Sequence, residues 1–368
     1  MVYDCSSRYI LQLLRGKVSY TGVSLNSSKF IKQILKNKML LPPMVGYTDY
    51  PYRRILASFN PPFICTEMIS PYAILNKNMR TIQMLRKIEG SHINGVQLIG
   101  EKRKIMSEAA EYVEGLGFDY IDINMGCTVK AIALQGAGIS LMKDEEKAVK
   151  LASAILQKVN IPVTCKMRLG LSDRTLNAVS LSRKLEEAGI AAITVHGRTG
   201  ESKFGLPLDY EGIRDVVETC NIPIIANGGI NSGLDAIKVL QLTGAKAIMP
   251  GRGLIGNPWL IPEILSSLEE REYQIPSLQE RKQICLLHLQ YLCEFYGKPK
   301  GIIMMRRIYS KYFSKCKHLV SLKIDSQSIK TFEEFRKLQD HIQKDEYGLH
   351  YTKKIDNTTS YSGRGFTG

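Results

Sequence analysis

Three side chains stand where chemistry can be done. Cys127 lies in Asn124-Met125-Gly126-Cys127-Thr128-Val129-Lys130, just past an apolar run, with a glycine before it to let the backbone turn. Free thiols are mostly protonated at neutral pH and can serve as general acids, although most cysteines are buried and inert. Lys166 sits in Thr164-Cys165-Lys166-Met167-Arg168, an otherwise apolar run where a charge is costly without an anionic partner. That partner is either a ligand or Glu67, in a plain salt bridge. His196, in Thr194-Val195-His196-Gly197-Arg198-Thr199, ends another apolar run and can donate or accept a hydrogen bond. No second histidine or carboxylate stands at ligand spacing from it, so no metal site is expected.

Two glycine-rich stretches add a second kind of chemistry. Asn227-Gly228-Gly229 and Pro250-Gly251-Arg252-Gly253 each close an apolar run, and glycines there let backbone N–H groups approach an anion. The alternative is that they only make tight turns. Arg252 adds a positive charge in the same loop, which favours a phosphorylated ligand; sugar phosphates and flavin mononucleotide (FMN) both fit. With FMN, Lys166 would lie beside the ring that becomes negative on reduction, and Gln97 would read an amide edge.

These residues share one position in the pattern of the chain. Short β-type runs at Met39–Met44, Phe63–Glu67, Asn94–Ile99, Tyr120–Asn124, Pro162–Met167, Ala192–His196, Pro223–Asn227 and Ala245–Pro250 alternate with amphipathic stretches such as Glu145–Val159 and Leu176–Ala188. Eight strands each followed by a helix predict an α/β fold, a (β/α)₈ TIM barrel over residues 39–270, rather than an open sheet with a glycine-rich first turn. Met44, Glu67, Gln97, Asn124, Lys166, His196, Asn227 and Gly251 all fall at run ends, where such a barrel builds its active site.

Beyond residue 270 the strand pattern stops. Glu280–Tyr296, Lys300–Lys315 and Phe332–Gln343 read as helices, which predicts a small C-terminal helical domain over 271–350. Between Gly297 and Lys323 stand eight Lys or Arg and no acid, and Arg307, Lys311 and Lys315 recur every four residues as one helical stripe. The formal net charge is +15, which favours a polyanionic partner over a merely solvated surface. Residues 1–38 form a basic extension that reads equally as an organellar transit segment or as an arm that helps hold RNA. Residues 351–368 read as a disordered tail. Eight scattered cysteines without a CxxC pair indicate reduced thiols, and no run reaches the roughly 20 apolar residues of a membrane span. A soluble, cytoplasmic monomer is expected.

The ordered set Pro42-Pro43-Met44-Val45-Gly46-Tyr47-Thr48-Asp49, Val96-Gln97-Leu98-Ile99-Gly100, Asn124-Met125-Gly126-Cys127, Lys166-Met167-Arg168, His196-Gly197-Arg198-Thr199, Asn227-Gly228-Gly229 and Gly251-Arg252-Gly253 resembles the tRNA-dihydrouridine synthases, in particular their bacterial B-type branch. The similarity runs from about residue 39 to 345 and includes Phe295-Tyr296-Gly297 and the basic helix after it. It implies FMN contacts at Met44, Val45, Gly46, Gln97, Lys166, His196, Asn227, Gly228, Gly229, Gly251 and Arg252. It further implies Cys127 as proton donor, Asn124, Lys130, Arg168 and His196 around a substrate uracil, tRNA held by Arg307, Lys311 and Lys315, and NADPH as reductant. Thr128, Gly229, Gly200 and Ala131 stand where that family usually has proline, aspartate, arginine and lysine. An FMN-dependent reductase of a free pyrimidine or enone, and a non-catalytic RNA-binding homologue, are the rival readings.

Overall fold

A computed structural model describes residues 25–202, 207–314, 325–340 and 342. The chain forms a seven-stranded, all-parallel sheet in strict sequence order: β1 (Phe63–Ile69), β2 (Ile93–Leu98), β3 (Tyr120–Met125), β4 (Val163–Arg168), β5 (Ala192–His196), β6 (Ile224–Asn227) and β7 (Ala247–Met249). Helices α1 (Leu25–Asn37), α2 (Tyr50–Ala57), α3 (Pro71–Leu75), α4 (Met79–Met84), α5 (Arg103–Gly115), α6 (Lys130–Leu134), α7 (Glu145–Leu156), α8 (Ala178–Ala188), α9 (Tyr210–Thr219), α10 (Gly233–Thr243) and α11 (Leu260–Leu268) precede and connect the strands or follow the last. Then come α12 (Leu278–Tyr296), α13 (Lys298–Arg306), α14 (Tyr309–Tyr312) and α15 (Phe332–Asp340).

The expected eight-stranded barrel is thus corrected to seven strands. The run Met39–Met44 is not a strand of the sheet, because Pro42 and Pro43 have no N–H to donate to a ladder. Its first residues still touch both edges. Met39 makes an isolated parallel bridge with Ile248, Leu40 N–H donates to Ile248 O at 3.0 Å, and Leu41 N–H donates to Phe63 O at 3.2 Å.

Alternation along the strands divides the core. One face of each strand packs under the helices, as with Ile121, Ile123, Met167, Val195 and Ala226. On the other, Phe63, Tyr120, Ala192, Ile225 and Ala247, near the N-terminal ends of five strands, meet in one cluster, so the sheet curls. Phe30 and Ile34 of α1 fill that cluster; Phe30 lies 5.5 Å from the Phe63 ring and 5.1 Å from Tyr120. The latter part of the basic extension is therefore a helix that seals the floor of the sheet, with Lys29, Lys32 and Lys36 outward. Residues 1–24 and the expected tail at 351–368 lie outside the described residues.

The C-terminal helices share the core of the sheet layer: Leu289, Leu292, Ile302, Tyr309 and Tyr312 join the same buried cluster. Tyr52 of α2 stacks on His288 at 4.8 Å, and Arg54 pairs with Glu294 at 3.2 Å. The single helix expected over Lys300–Lys315 is corrected to two pieces. The chain turns at Arg307-Ile308 through 3.2 and 3.0 Å bonds to Met304 O and Met305 O, and so buries Ile308, Tyr309, Tyr312 and Phe313 together. Among the described residues, no helix is long and apolar enough to cross a membrane.

Candidate active site

The C-terminal ends of the strands carry the polar residues. Period-two geometry puts Tyr120, Asp122 and Asn124 on the concave face of β3, and the ladder sets Gln97 beside Asp122, Asp122 beside Thr164, Asn124 beside Lys166, and Arg168 beside His196. Lateral neighbours on one face are close enough to bond. Thr164 Oγ1 donates to Asp122 Oδ1 at 2.7 Å, Gln97 Nε2 to Asp122 Oδ2 at 2.7 Å, and Asn124 Nδ2 to Gln97 Oε1 at 2.7 Å.

Asn124 then holds the cysteine loop. Its Oδ1 accepts from Gly126 N–H at 3.1 Å and Cys127 N–H at 2.9 Å. Arg168 Nε donates to Gly126 O at 3.0 Å and its Nη1 to Thr199 O at 2.8 Å, so this arginine braces two rim loops. Cys127 is half-buried, and its carbonyl accepts from Ile139 N–H at 3.0 Å. Gly126 is not the glycine this geometry requires, since a Cβ there would make only ordinary contacts near 3.5 Å. Gly138 is: its φ is +59°, and a Cβ would come within 2.7 Å of Cys127 O. Lys130 starts α6, exposed, three residues beyond the thiol.

Lys166 does not pair with Glu67. Its Nζ donates to Asn227 Oδ1 at 2.8 Å, and Asn227 Nδ2 donates to Met249 O at 2.7 Å, joining β4, β6 and β7. Burial pulls the Lys166 ammonium down to about 8, against the opposing charge of Asp122. His196 is held near 2 by burial and by Lys166, Arg168, Arg198 and Arg252, so its ring is neutral. Burial pushes the Asp122 carboxyl up, while the bonds from Gln97 and Thr164 and the charge of Lys166 pull it back.

Glu67 Oε1 instead accepts from Gly46 N–H at 2.5 Å, pinning the Met44–Gly46 loop to the end of β1. Met44 is partly buried there and Val45 is exposed. Asp49 caps α2, accepting from Tyr52 N–H at 2.9 Å, and bonds Tyr296 of α12. Burial raises its carboxyl to about 7, helped by the Glu67 charge and opposed chiefly by the Tyr52 N–H. Arg307 also reaches this loop. Its guanidinium lies 5.5 Å from the Tyr47 ring centroid, and its Nη2 would be 3.4 Å from a Cβ on Gly46. Arg307 and Lys311 are exposed, but the break in the helix removes them from a single stripe; Lys315 lies outside the described residues.

The glycine loops complete the rim. Nothing lies within 4 Å of where a Gly251 Cβ would be, and Arg252 is exposed beside it. Gly228 and Gly229 follow Asn227, itself paired with Lys166. Gly229, at φ +73°, has no room for a side chain, because a Cβ would collide with Tyr210 Oη and meet Leu208 at 2.7 Å. The departure from aspartate at this position is therefore matched by Tyr210. Open space at a glycine turn, an adjacent arginine and a buried lysine with an amide partner fit a phosphorylated flavin. Glu67 stands at its expected run end but pairs with Gly46 N–H rather than with Lys166; Asp122, Asp49 and Gly138 are the site residues that residue type alone does not single out, the Asp in the apolar run Tyr120-Ile121-Asp122-Ile123-Asn124 being the available signal.

A curled parallel sheet with its polar groups at the strand ends, and with a cysteine loop bonded by the ladder neighbour of a buried lysine, is the architecture of an α/β enzyme of the barrel kind. Comparison with known proteins narrows this. The model of the family described as dihydrouridine synthase (Dus) matches residues 40–346, and the chain belongs to that family. The probable tRNA-dihydrouridine synthase of Rickettsia conorii (strain ATCC VR-613 / Malish 7) is 36% identical over 282 residues, 76% of this chain and 85% of its own. The tRNA-dihydrouridine synthase B of Pasteurella multocida (strain Pm70) is 36% identical over 280 residues, 76% and 84%. That of Proteus vulgaris is 36% identical over 283 residues, 76% and 87%.

Proposed function

We propose that this chain, as a monomer, reduces the C5=C6 bond of uridines in tRNA to dihydrouridine, with FMN bound at the strand ends and NADPH as reductant. One observation carries the reading: the loop bearing Cys127 and the side chain of Lys166 are brought together through Asn124, which bonds the loop and stands beside Lys166 in the ladder. When bound, FMN supplies a hydride for C6 of the uracil, drawn from NADPH. The π bond breaks toward C5, and Cys127 Sγ gives its proton there, leaving a thiolate that solvent reprotonates.

The remaining roles follow from the site. Lys166, held by Asn227, keeps a positive charge where the flavin ring carries negative charge on reduction. Gly228, Gly229, Gly251 and Arg252 take the phosphate, and Met44, Val45, Gly46, Gln97 and His196 line the ring. Asn124 and Lys130 face the uracil, and Arg168 contributes by bracing the Cys127 loop as well as by its charge. Arg307 and Lys311 take RNA phosphates. A uracil must leave its stack to enter such a site, at a cost of a few kcal/mol.

The test is spectroscopic. The purified protein should carry flavin absorbance, bleach with NADPH, and recover its colour on addition of tRNA lacking dihydrouridine. Recovery with free uridine but not with tRNA would turn the reading to a small-molecule reductase; a colourless protein that binds tRNA would turn it to a non-catalytic one.

A further inference from the structure

We infer that Asp122 is a positioning residue for the proton donor: through Gln97 and Asn124 it sets which end of each amide faces which neighbour, and so fixes the loop that carries Cys127. The inference rests on the proposed role of Cys127 for its meaning in catalysis, but its geometry stands independently.

Donors and acceptors fix the orientation of each amide. A carboxylate only accepts, a backbone N–H only donates, and a primary amide does one at each end. Between Asp122 and the N–H groups of Gly126 and Cys127 stand two amides in series, Gln97 and Asn124. Read from the carboxylate, Gln97 must present Nε2 to Asp122, hence Oε1 to Asn124, hence Asn124 must turn Nδ2 to Gln97 and Oδ1 to the loop. Read from the loop, the same orientation results. Turning both amides over would set Gln97 Oε1 against Asp122 and Asn124 Nδ2 against two N–H donors.

Burial makes this choice binding. Asp122 is 4% exposed, Gln97 1% and Asn124 9%, which leaves little room for water to supply a missing partner. The far end is also tied down, since Thr164 Oγ1 donates to Asp122 Oδ1 at 2.7 Å. The chain crosses three adjacent strands, β2, β3 and β4, at matching register positions, so the sheet itself holds its members in line. Polarised hydrogen bonds in series reinforce one another in a dry interior.

Two substitutions separate this role from the alternatives. Asp122→Leu keeps the branching of the side chain, with methyl groups bulkier than the oxygens they replace, and removes the acceptor, freeing Gln97 and Asn124 to turn. Asp122→Asn removes the charge but can keep the acceptor: its Oδ1 can face Gln97 while its Nδ2 donates to Thr164 Oγ1, whose hydroxyl already lies 3.4 Å from Ile121 O. A role in packing alone predicts that the bulkier Leu lowers stability but leaves Cys127 alkylation in the folded protein unchanged. A role through charge, for example on Lys166, predicts that Asn fails as badly as Leu.

The measurements are the alkylation rate of Cys127 by iodoacetamide, read on its own peptide by mass spectrometry, and the reoxidation of NADPH-reduced holoenzyme by tRNA in a single turnover. In Asp122→Leu, alkylation should change severalfold and reoxidation slow by about 10–100-fold, the usual effect of losing an orienting partner. In Asp122→Asn, both should stay within about threefold of the parent. Wild-type values in Asp122→Leu, or equal damage in the two variants, would overturn the inference. If Asp122→Leu does not fold with FMN bound, the smaller Asp122→Ala, which also lacks the acceptor, takes its place: altered alkylation in Ala with parental alkylation in Asn upholds acceptor geometry, and parental alkylation in Ala refutes it. Alkylation reads the loop even in the case where Cys127→Ala proves active, which would refute the proposed function and leave the positioning intact.

Discussion

The floor and the rim of the same strands are built to opposite specifications. On β3, Tyr120 packs against Phe30 and Phe63, while Asn124, four residues on and facing the same side, bonds the cysteine loop. The floor is aromatic and sealed by α1, and its contacts are non-directional. At the rim almost every contact is a directed hydrogen bond between named atoms. One ladder thus serves stability at its N-terminal end and chemistry at its C-terminal end, so substitutions at the two ends should have separable effects.

The largest expected separation is at the rim. Cys127→Ala should retain FMN and its reduction by NADPH but lose dihydrouridine formation by about 10²–10⁴-fold, the value of a positioned general acid. Its urea midpoint should match the parent, because the side chain is only half-buried. Dihydrouridine mapping in tRNA after single turnover measures the first effect, and unchanged turnover removes Cys127 from the mechanism.

Phe30→Ala should do the reverse at the floor. Deleting a buried phenyl ring costs about 3–5 kcal/mol, read as a lowered denaturant midpoint, while tRNA-dependent reoxidation of the folded fraction stays at the parental rate. A Phe30→Ala protein of full stability would mean that α1 is an appendage and that the contrast between floor and rim is false.

A smaller effect sharpens the boundary between rim and C-terminal helices. Asp49 is raised to about 7 from an ordinary value of 3.8, so between those values the folded state binds the extra proton. Stability attached to this group is full below pH 4 and is lost as pH rises through 7. Asp49→Asn keeps the cap on Tyr52 N–H and removes the titration, so the fall in stability between pH 4 and 7 should lessen by up to about 1.4 kcal/mol per pH unit. Urea titrations at pH 4.5, 6 and 7.5 measure it; identical slopes in both proteins would place the sensitivity elsewhere, Glu67 being the neighbouring carboxyl.

The smallest effect concerns RNA grip. Replacing Arg307 and Lys311 by Gln should weaken tRNA binding and reduce its salt dependence by roughly 0.7–0.9 log units for each lost phosphate contact. Flavin reduction by NADPH should not change. An unaltered salt slope would mark both as solvated charges.

The strand pattern made most of this architecture legible: seven of eight β-type runs are strands, and Ala192–His196 coincides at both ends. The eighth fails on two adjacent prolines, whose missing donors outweigh the apolar character around them. In residues 25–37 the spacing of Phe30, Ile31 and Ile34 carried a helix signal that the lysines between them obscured. The turn at Arg307-Ile308 has no local breaker; it follows from the need to bury four large side chains at once, which only tertiary packing reveals. At the site, Cys127, Lys166 and the glycines stood out by residue type. Asp122 and Gly138 did not, because one acts through two intervening amides and the other through an approach from a distant turn.

Gly229 and Tyr210 are coupled through the space between them. A side chain at 229 would sit at a left-handed φ of +73° and meet the Tyr210 hydroxyl and Leu208, so placing one there strains the backbone and makes both neighbours give way. An acidic side chain introduced at 229 displaces the tyrosine; a smaller residue at 210 removes one of the two contacts but not the cost of the left-handed backbone. The two positions are therefore one unit of loop design: the effects of substituting both should not be the sum of the effects of substituting each.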